Sequence, residues 1–475
     1  MEDQTPASQG SQGAVLLTGW GRTHRSWARA VRPTDVADAL RVMASDPASP
    51  FVPRGAGSSY GDAATCDRGS VLDLTACDRL VELDPSTGVV TAEAGMTIGQ
   101  LMRVLVGSGW TVPVLPGTPH VTLGGAVAAD VHGKNHVGAG SFGAHVRWLV
   151  LMDPQGSPQR LSPPLDARFW ATVGGMGLTG PILVVALQLR PIGTAPASVR
   201  RVRAASLEGV MQHLEDLVPE QRVDAGVHAV AWLDATRGHE GRGLVQVTRT
   251  PGPDRHRPLA DGAVGTRPVP PRTSRARSGS PTSRALPGNG LISERLITAA
   301  NAARWYWPQR RAEQQREIVD ALIPLRRAEV WPAMFGRGGL LQYQFVVPLG
   351  QGHVIQTALT TLATRRLTPA LVVLKRLGPS SAAPLGFALE GWTVALDLPA
   401  GWAGLGVALD ELDELVGHAG GRVYLAKDSR LRPDLVGQMY PQLETWRQVR
   451  DDMDPHHRFC SDLDRRLRLT RDAEA

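Results

Sequence analysis

The sequence predicts an α+β fold, and three observations lead to that prediction. Residues 32–192 alternate short β-rich runs with helix-like runs, and residues 195–421 hold several strand candidates with two helical stretches. From residue 430 onward the pattern is charged and helical. A chain of 475 residues can bury a sizeable core, and its length suggests two or three domains.

In the first region, apolar spacing and β-branched runs locate the elements. A helix is predicted over 34–43, where Val36, Ala39, Leu40 and Met43 form one apolar stripe. A second helix is predicted over 97–106. The strand candidates are 51–52, 69–74, 88–94, 148–152 and the buried run 182–187.

In the later regions, the same apolar periodicities predict the helices and strands. Helices are predicted around 312–322 and 405–417, and strands at 229–233, 340–347 and 392–398. In the tail, Trp446, Val449 and Met453 recur at helical spacing.

Most of the positive charge lies in one segment. Residues 251–290 hold seven arginines, two aspartates and eight prolines, so they carry +5 of the chain's net charge of +6. The segment has almost no large apolar residue and cannot offset its ordering entropy, so we predict a disordered insertion. Two roles are open for it: a solvated loop, or a segment that contacts anionic lipid head groups.

The cysteines and the N-terminus bear on the cellular compartment. Three cysteines match no zinc spacing, and an odd number argues against a disulfide framework, which favours a reducing compartment. The polar N-terminus, residues 1–17, is predicted to be disordered and has no signal-peptide pattern. No apolar run approaches the ~18 residues that span a bilayer. We expect a cytoplasmic protein, or one peripheral at the inner membrane face.

Four loops rich in small residues predict a large ligand. The first, PRGAGSSYGD over 53–62, follows a short apolar strand, and its glycines let backbone N–H groups converge on an anion. The others lie at 116–126, 132–143 and 174–180. A tight turn without chemistry explains one such loop, but four of them indicate backbone lying against a flat, phosphate-bearing ligand.

The last of these loops formally matches a dinucleotide fingerprint. Gly175, Gly177 and Gly180 have the spacing of that motif, but Pro181 and a strand-like run follow them in place of a helix. The next acidic residue is Glu208, too far along to bind a ribose hydroxyl in that motif. A nicotinamide site is therefore not predicted.

The motifs PRGAGSSYGD, TLGGAVAADVHGKNH and FWATVGGMGLTG resemble the flavin domain of the vanillyl-alcohol-oxidase superfamily of FAD-linked oxidoreductases. LLQYQFVVP, GWTVALDLP and GGRVYLAKDSR narrow the resemblance to the decaprenylphosphoryl-β-D-ribose 2′-oxidase family. The resemblance implies a two-part FAD-binding domain, 18–194 with a returning segment 422–475. Between these parts it implies an inserted α+β substrate domain, 195–421, built on an antiparallel sheet.

The resemblance also implies that FAD is the cofactor and which residues bind it. Many members of the superfamily tether the flavin through a histidine near the end of the first loop, but Ser58 stands at that position here, so a non-covalent FAD is predicted. The predicted cofactor-binding residues are Pro53, Arg54, Gly55, Ala56, Gly57, Ser58, Ser59, Tyr60, Gly61, Asp62, Ala63, Gly117, Thr122, Leu123, Gly124, Gly125, His132, Gly133, Lys134, Asn135, Ile182 and Tyr424.

Lysine is scarce, since Lys134, Lys375 and Lys427 stand against 48 arginines. Each lies in a stretch that resembles the family's active site, although chance retention of a few lysines is an alternative. Lysine is a point charge whose pKa shifts on burial, whereas arginine stays protonated. Lys427 is predicted to take part in proton transfer from the substrate hydroxyl, with His132 as the second catalytic residue. The predicted substrate-binding residues are Lys134, Lys375, Gln342, Gln344 and Tyr60.

His132 and His136 have metal-binding spacing only on a helix, which Gly133 and Gly138 disfavour, so no metal is predicted. In the family's Gly-Trp-x-x-Cys stretch a cysteine lies beside the flavin, but this chain has Ala395 there. Turnover is therefore expected without covalent inhibition at that position.

The function implied is oxidation of the 2′-hydroxyl of decaprenylphosphoryl-β-D-ribose, a polyprenyl-phosphate sugar, to the keto-sugar in cell-wall arabinan precursor synthesis. A separate NADH-dependent keto-reductase would complete the epimerisation. The alternative is an FAD-linked oxidase of free sugars, alditols or aldonolactones. Nucleic-acid binding by the basic insertion is disfavoured, because that segment lacks interleaved aromatic residues.

Overall fold

The fold is seen in a computed structural model that describes residues 13–46, 49–253, 290–307, 313–323 and 330–470. The predicted insertion lies outside the described residues from 254 to 289. In chain order the strands are β1 Ala14–Thr18, β2 Arg25–Val31, β3 Phe51–Arg54, β4 Ser70–Asp73, β5 Leu80–Asp84, β6 Val89–Glu93, β7 Trp110–Thr111, β8 Val146–Met152, β9 Pro158–Leu161, β10 Ile182–Gln188, β11 Arg190–Pro191, β12 Ala197–Ala204, β13 Val227–Leu233, β14 Gly243–Arg249, β15 Gln314–Arg316, β16 Leu340–Pro348, β17 Leu371–Leu377, β18 Gly391–Pro399 and β19 Arg422–Val423. The helices are α1 Val36–Ser45, α2 Ile98–Leu105, α3 Leu123–Ala128, α4 His136–Ala139, α5 Ala167–Thr172, α6 Leu207–Glu215, α7 Val218–Val223, α8 Glu294–Tyr306, α9 Ile318–Leu322, α10 His353–Thr364, α11 Leu405–His418, α12 Val436–Met439, α13 Leu443–Met453 and α14 Asp462–Leu467.

Three sheets precede residue 195, and the smallest of them is the two-stranded pairing of β7 with β11. A four-stranded sheet has the order β1-β2-β4-β3, in which β1 and β2 pair antiparallel while β4 pairs in parallel with β2 and β3. A five-stranded antiparallel sheet has the order β5-β6-β10-β8-β9. Helix α2 packs its apolar stripe into the core beneath this second sheet, and it begins at Thr97, which forms a reciprocal cap with Gln100.

An eight-stranded antiparallel sheet follows, with the order β15-β12-β14-β13-β17-β18-β16-β19. Helices α6 and α11 pack against it, and α10 packs against α11. Side chains alternate between the faces of a strand. Along β18, Val394, Leu396 and Leu398 are therefore buried in the core, while Ala395 and Asp397 face the opposite side.

The C-terminal helices return to the first sheets. Trp446 on α13 is fully buried, and its Nε1 donates to the carbonyl of Ala171 on α5 at 2.9 Å. Arg450, also fully buried, pairs with Asp454 at 3.0 Å and donates to the carbonyl of Leu178. These bonds join the last part of the chain to the first part.

The α+β fold class is confirmed, and most predicted elements are present. The strands predicted at 229–233, 340–347 and 392–398 are β13, β16 and β18, and the predicted helices 97–106 and 405–417 are α2 and α11. The first helix begins two residues later than predicted, because Asp35 caps it at the N-terminus. The domain boundaries at 194 and 421 stay a prediction.

Two predictions of local structure are wrong. The disordered N-terminus does not extend over 14–17, because these residues pair with β2 and bury Leu17. The helix predicted over 312–322 is strand β15 followed by the short helix α9, since Gln314–Arg316 pair with the edge of the large sheet. Gly138 lies inside the single turn of α4, but that helix begins at His136 and does not include His132. Among the described helices, none combines the length and apolarity needed to cross a membrane.

Candidate active site

A cleft of about 2450 Å³ lies between the glycine-rich loops and one face of the eight-stranded sheet. This is larger than the roughly 300–1,000 Å³ typical of a site for one small ligand. The first loops, at 53–60 and 116–125, form one side of it, and strands β16, β17 and β18 form another. A cleft of this size and shape can hold an extended cofactor and a second ligand together.

The glycine loops touch one another so closely that side chains would separate them. A Cβ added at Gly55 would lie 2.2 Å from Oγ1 of Thr122, which caps α3 by accepting from the N–H of Gly125. Gly57 has φ +65°, which favours glycine. The guanidinium of Arg54 holds the first loop by donating to the carbonyls of Thr18 and Ala64 at 2.8 and 2.9 Å.

Strand register brings the polar residues of the sheet face together. Gln342 on β16 lies opposite Asp397 on β18, which lies opposite Leu371 on β17. The next layer along the strands is Gln344, Ala395 and Val373, and Lys375 follows two residues later on β17. All of these residues line the cleft, because a two-residue period keeps them on one face.

Lys427 follows β19 and points over the ring of Tyr60, with Nζ 3.9 Å from the ring centroid. The pKa of Lys427 is lowered to about 7. Burial is the main cause, the charge of Asp397 opposes it by raising the pKa, and the charge of Lys375 adds to the lowering. Burial also lowers the pKa of Lys375 to about 8. Lys427 is therefore a cation that can lose its proton near neutral pH.

His132 is held as a neutral ring. Burial, together with the charges of Lys375 and Lys427, holds its pKa well below its usual range. The amide nitrogen of Gln344 lies 2.9 Å from Nε2 of His132, and an amide nitrogen only donates, so Nε2 accepts and Nδ1 carries the proton. In the described structure, Nδ1 is buried without a hydrogen-bond partner, so it can donate to a ligand in the cleft.

Asp397 is a cleft residue that the sequence analysis missed. Its carboxylate accepts from Nε2 of Gln342 at 2.5 Å and from Nε1 of Trp331 at 2.8 Å, and burial raises its pKa. Its position two residues after Ala395 on one strand was the available signal, since residues two apart share a face. Trp331 carried no such signal, because its place beside Asp397 depends on a contact distant in sequence.

Most of the predicted site residues come together. The predicted catalytic and substrate-binding residues that line the cleft are Lys427, His132, Lys375, Gln342, Gln344 and Tyr60. The predicted cofactor-binding residues that line it are Pro53, Arg54, Gly55, Ala56, Gly57, Ser58, Ser59, Tyr60, Ala63, Gly117, Thr122, Gly124, Gly125, His132, Ile182 and Tyr424. Six of the predicted cofactor-binding residues are not among the described residues that line the cleft: Gly61, Asp62, Leu123, Gly133, Lys134 and Asn135.

Three of the residues behind the cleft wall hold the structure around it. Nζ of Lys134 donates to the carbonyl of Leu322 at 3.0 Å. The Asn135 amide donates to the carbonyls of Pro113 and Ala225. The carboxylate of Asp62 accepts two hydrogen bonds from the guanidinium of Arg466 on α14, at 2.8 and 2.9 Å, in a bidentate ion pair. Their predicted ligand contacts stay predictions.

The histidine pair is split by the fold. His136 begins α4 and bonds to Oγ of Ser141 and to the N–H of Gly378, whereas His132 precedes that helix and faces the cleft. Within the described ranges, no three His, Cys, Asp or Glu side chains are grouped as metal ligands.

The residues of the cleft fit FAD. Close-packed glycine loops bearing Ser58 and Ser59 can bind a pyrophosphate through backbone N–H groups and hydroxyls. The unpartnered Nδ1–H of His132 and the ring of Tyr424, stacked 4.5 Å from that of Phe387, can bind and cover a flat ring system.

Comparisons with known proteins agree with this geometry. A family model described as FAD binding domain matches residues 27–162, and one described as D-arabinono-1,4-lactone oxidase matches residues 409–467. The fold resembles that of Physcomitrella patens BBE-like 1, with a TM-score of 0.64 over 93% of this chain and 92% of the other at 15% identity. The chain is an FAD-linked oxidoreductase that acts on alcohol groups.

Sequence similarity identifies the family within that class. The chain is 34% identical over 465 residues to decaprenylphosphoryl-beta-D-ribose oxidase of Mycolicibacterium smegmatis. The aligned region covers 95% of this chain and 97% of the relative. It is 37% identical over 380 residues to an uncharacterized protein of Streptomyces coelicolor, covering 79% of this chain and all of the other. The chain therefore belongs to the decaprenylphosphoryl-β-D-ribose oxidase family, and the predicted enzyme class and FAD cofactor are confirmed.

Proposed function

We propose that this enzyme oxidises the 2′-hydroxyl of a polyprenyl-phosphoryl ribose, decaprenylphosphoryl-β-D-ribose, to the 2′-keto sugar. The observation that carries the proposal is the half-buried Lys427 in the cleft, whose Nζ lies 3.9 Å from the ring centroid of Tyr60. The charges of Asp397 and Lys375 act on this amine, whose pKa is lowered to about 7. The near full-length similarity to a relative named for that substrate supports the choice of sugar.

Lys427 is the base in this proposal. Bound FAD supplies the acceptor for the hydride that leaves the carbinol carbon. The neutral amine of Lys427 takes the hydroxyl proton, and the negative charge of Asp397 stabilises the ammonium that results. Gln342 and Trp331 keep the Asp397 carboxylate in position through their hydrogen bonds.

Three further residues orient the substrate and the ring system. His132 donates from Nδ1 while Gln344 holds its other nitrogen, so the imidazole has one orientation. Lys375 and Lys134 bind the substrate phosphate as point charges, and Lys134 exchanges its bond to Leu322 for a phosphate oxygen. Burial lowers the pKa of Lys134 to about 8, so an anionic partner would raise it again.

We assign FAD as non-covalent, because Ser58 cannot form the histidyl bond. The residues proposed to hold it are those of the predicted cofactor set. Precipitation of the purified holoenzyme with acid should leave the yellow flavin in the supernatant. Flavin retained in the washed pellet would contradict this assignment.

Two partners complete the proposal. A 2′-keto product needs a hydride donor to become the epimer, which an NADH-dependent keto-reductase supplies. A polyprenyl substrate stays in a bilayer, and contact with anionic lipid is supported by the charge of 251–290 and by the exposed Tyr306 and Trp307 at the end of α8. Removing residues 254–289 should weaken binding to anionic vesicles, more so at low salt than at high salt.

A substrate panel tests the proposed function. Purified holoenzyme should convert a polyprenyl-phosphoryl ribose to a product lighter by two hydrogens, located at the 2′ carbon by reduction with borodeuteride. The competing outcome is turnover of free alditols or aldonolactones in preference to the lipid-linked sugar. Partial similarity to an alditol oxidase of Streptomyces, 27% identity over 38% of this chain, makes that class the appropriate comparison.

A further inference from the structure

Two cysteines distant in sequence lie side by side outside the cleft. The Sγ atoms of Cys66 and Cys460 are 3.7 Å apart. Cys66 lies just after the first glycine loop and is fully buried, whereas Cys460 lies in the C-terminal segment and is partly exposed. The guanidinium of Arg465 lies over the pair, with Nη2 3.4 Å from one sulfur and 3.6 Å from the other.

Backbone contacts hold the two segments in place around the thiols. The N–H of Cys460 donates to the carbonyl of Phe51 at 3.0 Å, and the N–H of Asp462 donates to the carbonyl of Thr65 at 2.8 Å. Asp462 also accepts from the N–H of Asp67 at 2.8 Å. These bonds hold the two backbone segments side by side, and the Sγ separation of 3.7 Å must shorten to about 2.0 Å for a disulfide to form.

We propose that Cys66 and Cys460 are an oxidisable pair, which a peroxide converts to a disulfide that joins the C-terminal segment to the first glycine loop. The Cys460 thiolate attacks hydrogen peroxide, forming an S–O bond and releasing hydroxide. The Cys66 thiol then displaces the hydroxyl of the sulfenic acid as water, forming the S–S bond. Two thiols lose two electrons and two protons in total, and one peroxide becomes two waters.

The surroundings assign the two roles. Cys460 is the more solvent-accessible sulfur, and hydrogen bonding from Cys66 together with the charge of Arg465 lowers its pKa. Cys66 is buried, and its neighbour and its burial raise its pKa, so it is the resolving thiol. Cys77 is the matched control within the chain, because it is also buried and burial raises its pKa to about 12.

The bond would act on the part of the site that holds the cofactor. Asp62 lies four residues before Cys66 and forms an ion pair with Arg466. Arg466 also forms an ion pair with Asp428 at 2.8 Å, and Asp428 follows Lys427 in the chain. A covalent link between Cys66 and Cys460 limits the separation of these segments. Oxidised enzyme should therefore release flavin more slowly on heating than reduced enzyme does.

The test is one equivalent of hydrogen peroxide added to reduced holoenzyme, followed by alkylation and intact mass. The wild type and Cys77→Ser should each lose two alkylatable thiols and two hydrogens, and peptide mapping should show residue 66 linked to residue 460. Cys460→Ser should form no intramolecular link. Heating the oxidised wild type with and without reductant measures the difference in flavin release.

Three outcomes would overturn the proposal. In the first, both thiols of the wild type remain alkylatable. In the second, Cys460 is oxidised to sulfinic acid and no link forms. In the third, the link that forms includes Cys77. These readings use the wild type alone, so a serine variant that fails to fold does not affect them. Substrate turnover is not part of the readout, so failure here is distinguishable from failure of the proposed reaction.

Discussion

Among single side chains, Lys427 carries the proposed proton transfer. Lys427→Ala should keep bound FAD and fold, and its steady-state rate should fall by about 10²–10⁴-fold, the effect typical of a general base. Lys427→Arg should restore little, because a guanidinium does not give up its proton near neutral pH. The control is Arg365→Gln, which removes an exposed cation paired with Glu411 and should leave the rate unchanged. An arginine variant as active as wild type would remove Lys427 from the mechanism.

The charges around Lys427 predict a pH dependence. With a pKa of about 7, Lys427 is protonated and inactive as a base in acid, so kcat/KM should rise as pH increases through 7. Asp397→Asn removes the charge that raises this pKa, so the limb should shift to lower pH. Lys375→Met removes a charge that lowers it, so the limb should shift to higher pH.

Opposite shifts in the two variants are the informative result. Both substitutions can also reduce the absolute rate, so the midpoint of the limb is measured and not its height. Shifts in the same direction, or a limb that stays in place in both variants, would show that another group controls the profile.

Ala395 predicts a pattern of inhibition. It is half-buried and lines the cleft, and the sequence resemblance predicts that it replaces the family's reactive cysteine. Electrophilic inhibitors that need that thiol should leave the mass of the wild type unchanged under turnover, and Ala395→Cys should form an adduct. Adducts of equal yield on both proteins would mean that the thiol attacked lies elsewhere.

At the level of loops, we expect the affinity for FAD to depend on the close contact between Gly55 and Thr122. Gly55→Ala would place Cβ 2.2 Å from Oγ1 of Thr122, and overpacking of this kind costs about 1–3 kcal/mol. If the strain separates the loops, the dissociation constant for FAD should rise about tenfold or more. Gly107→Ala is the control, because a Cβ there meets nothing within 4 Å. Equal FAD affinity in the two variants, measured by fluorescence titration, would exclude this coupling.

For the chain as a whole, α13 fastens the C-terminal segment to the first part. Trp446→Ala should lower the free energy of unfolding by about 3–5 kcal/mol, because it empties a fully buried site and leaves the carbonyl of Ala171 without its donor. Trp27→Ala, at a site that is 57% exposed, is the control and should change stability little. Urea unfolding of both holoproteins measures the difference, and equal losses would show that this contact does not fasten the segment.

The local order of the chain was largely predictable. Alternation of apolar and polar residues located β13, β16 and β18, and the capping pair Thr97 and Gln100 lies where the helix pattern begins. Local patterns misjudged the residues whose partners are remote. Gln314–Arg316 form a strand because they pair with the edge of the sheet at β12. Residues 14–17 are ordered because they pair with β2.

The sequence by itself determined the chemistry available: glycine loops that approach a phosphate, a serine in place of a tethering histidine, and three lysines among many arginines. Only the tertiary structure decided which groups act on one another. Strand register places Asp397 where its charge acts on Lys427. Lys134 donates to the carbonyl of Leu322, and Cys460 contacts Cys66, which is 394 positions away in sequence. Burial and charge act through space, so the pKa of a side chain depends on neighbours that chain order does not reveal.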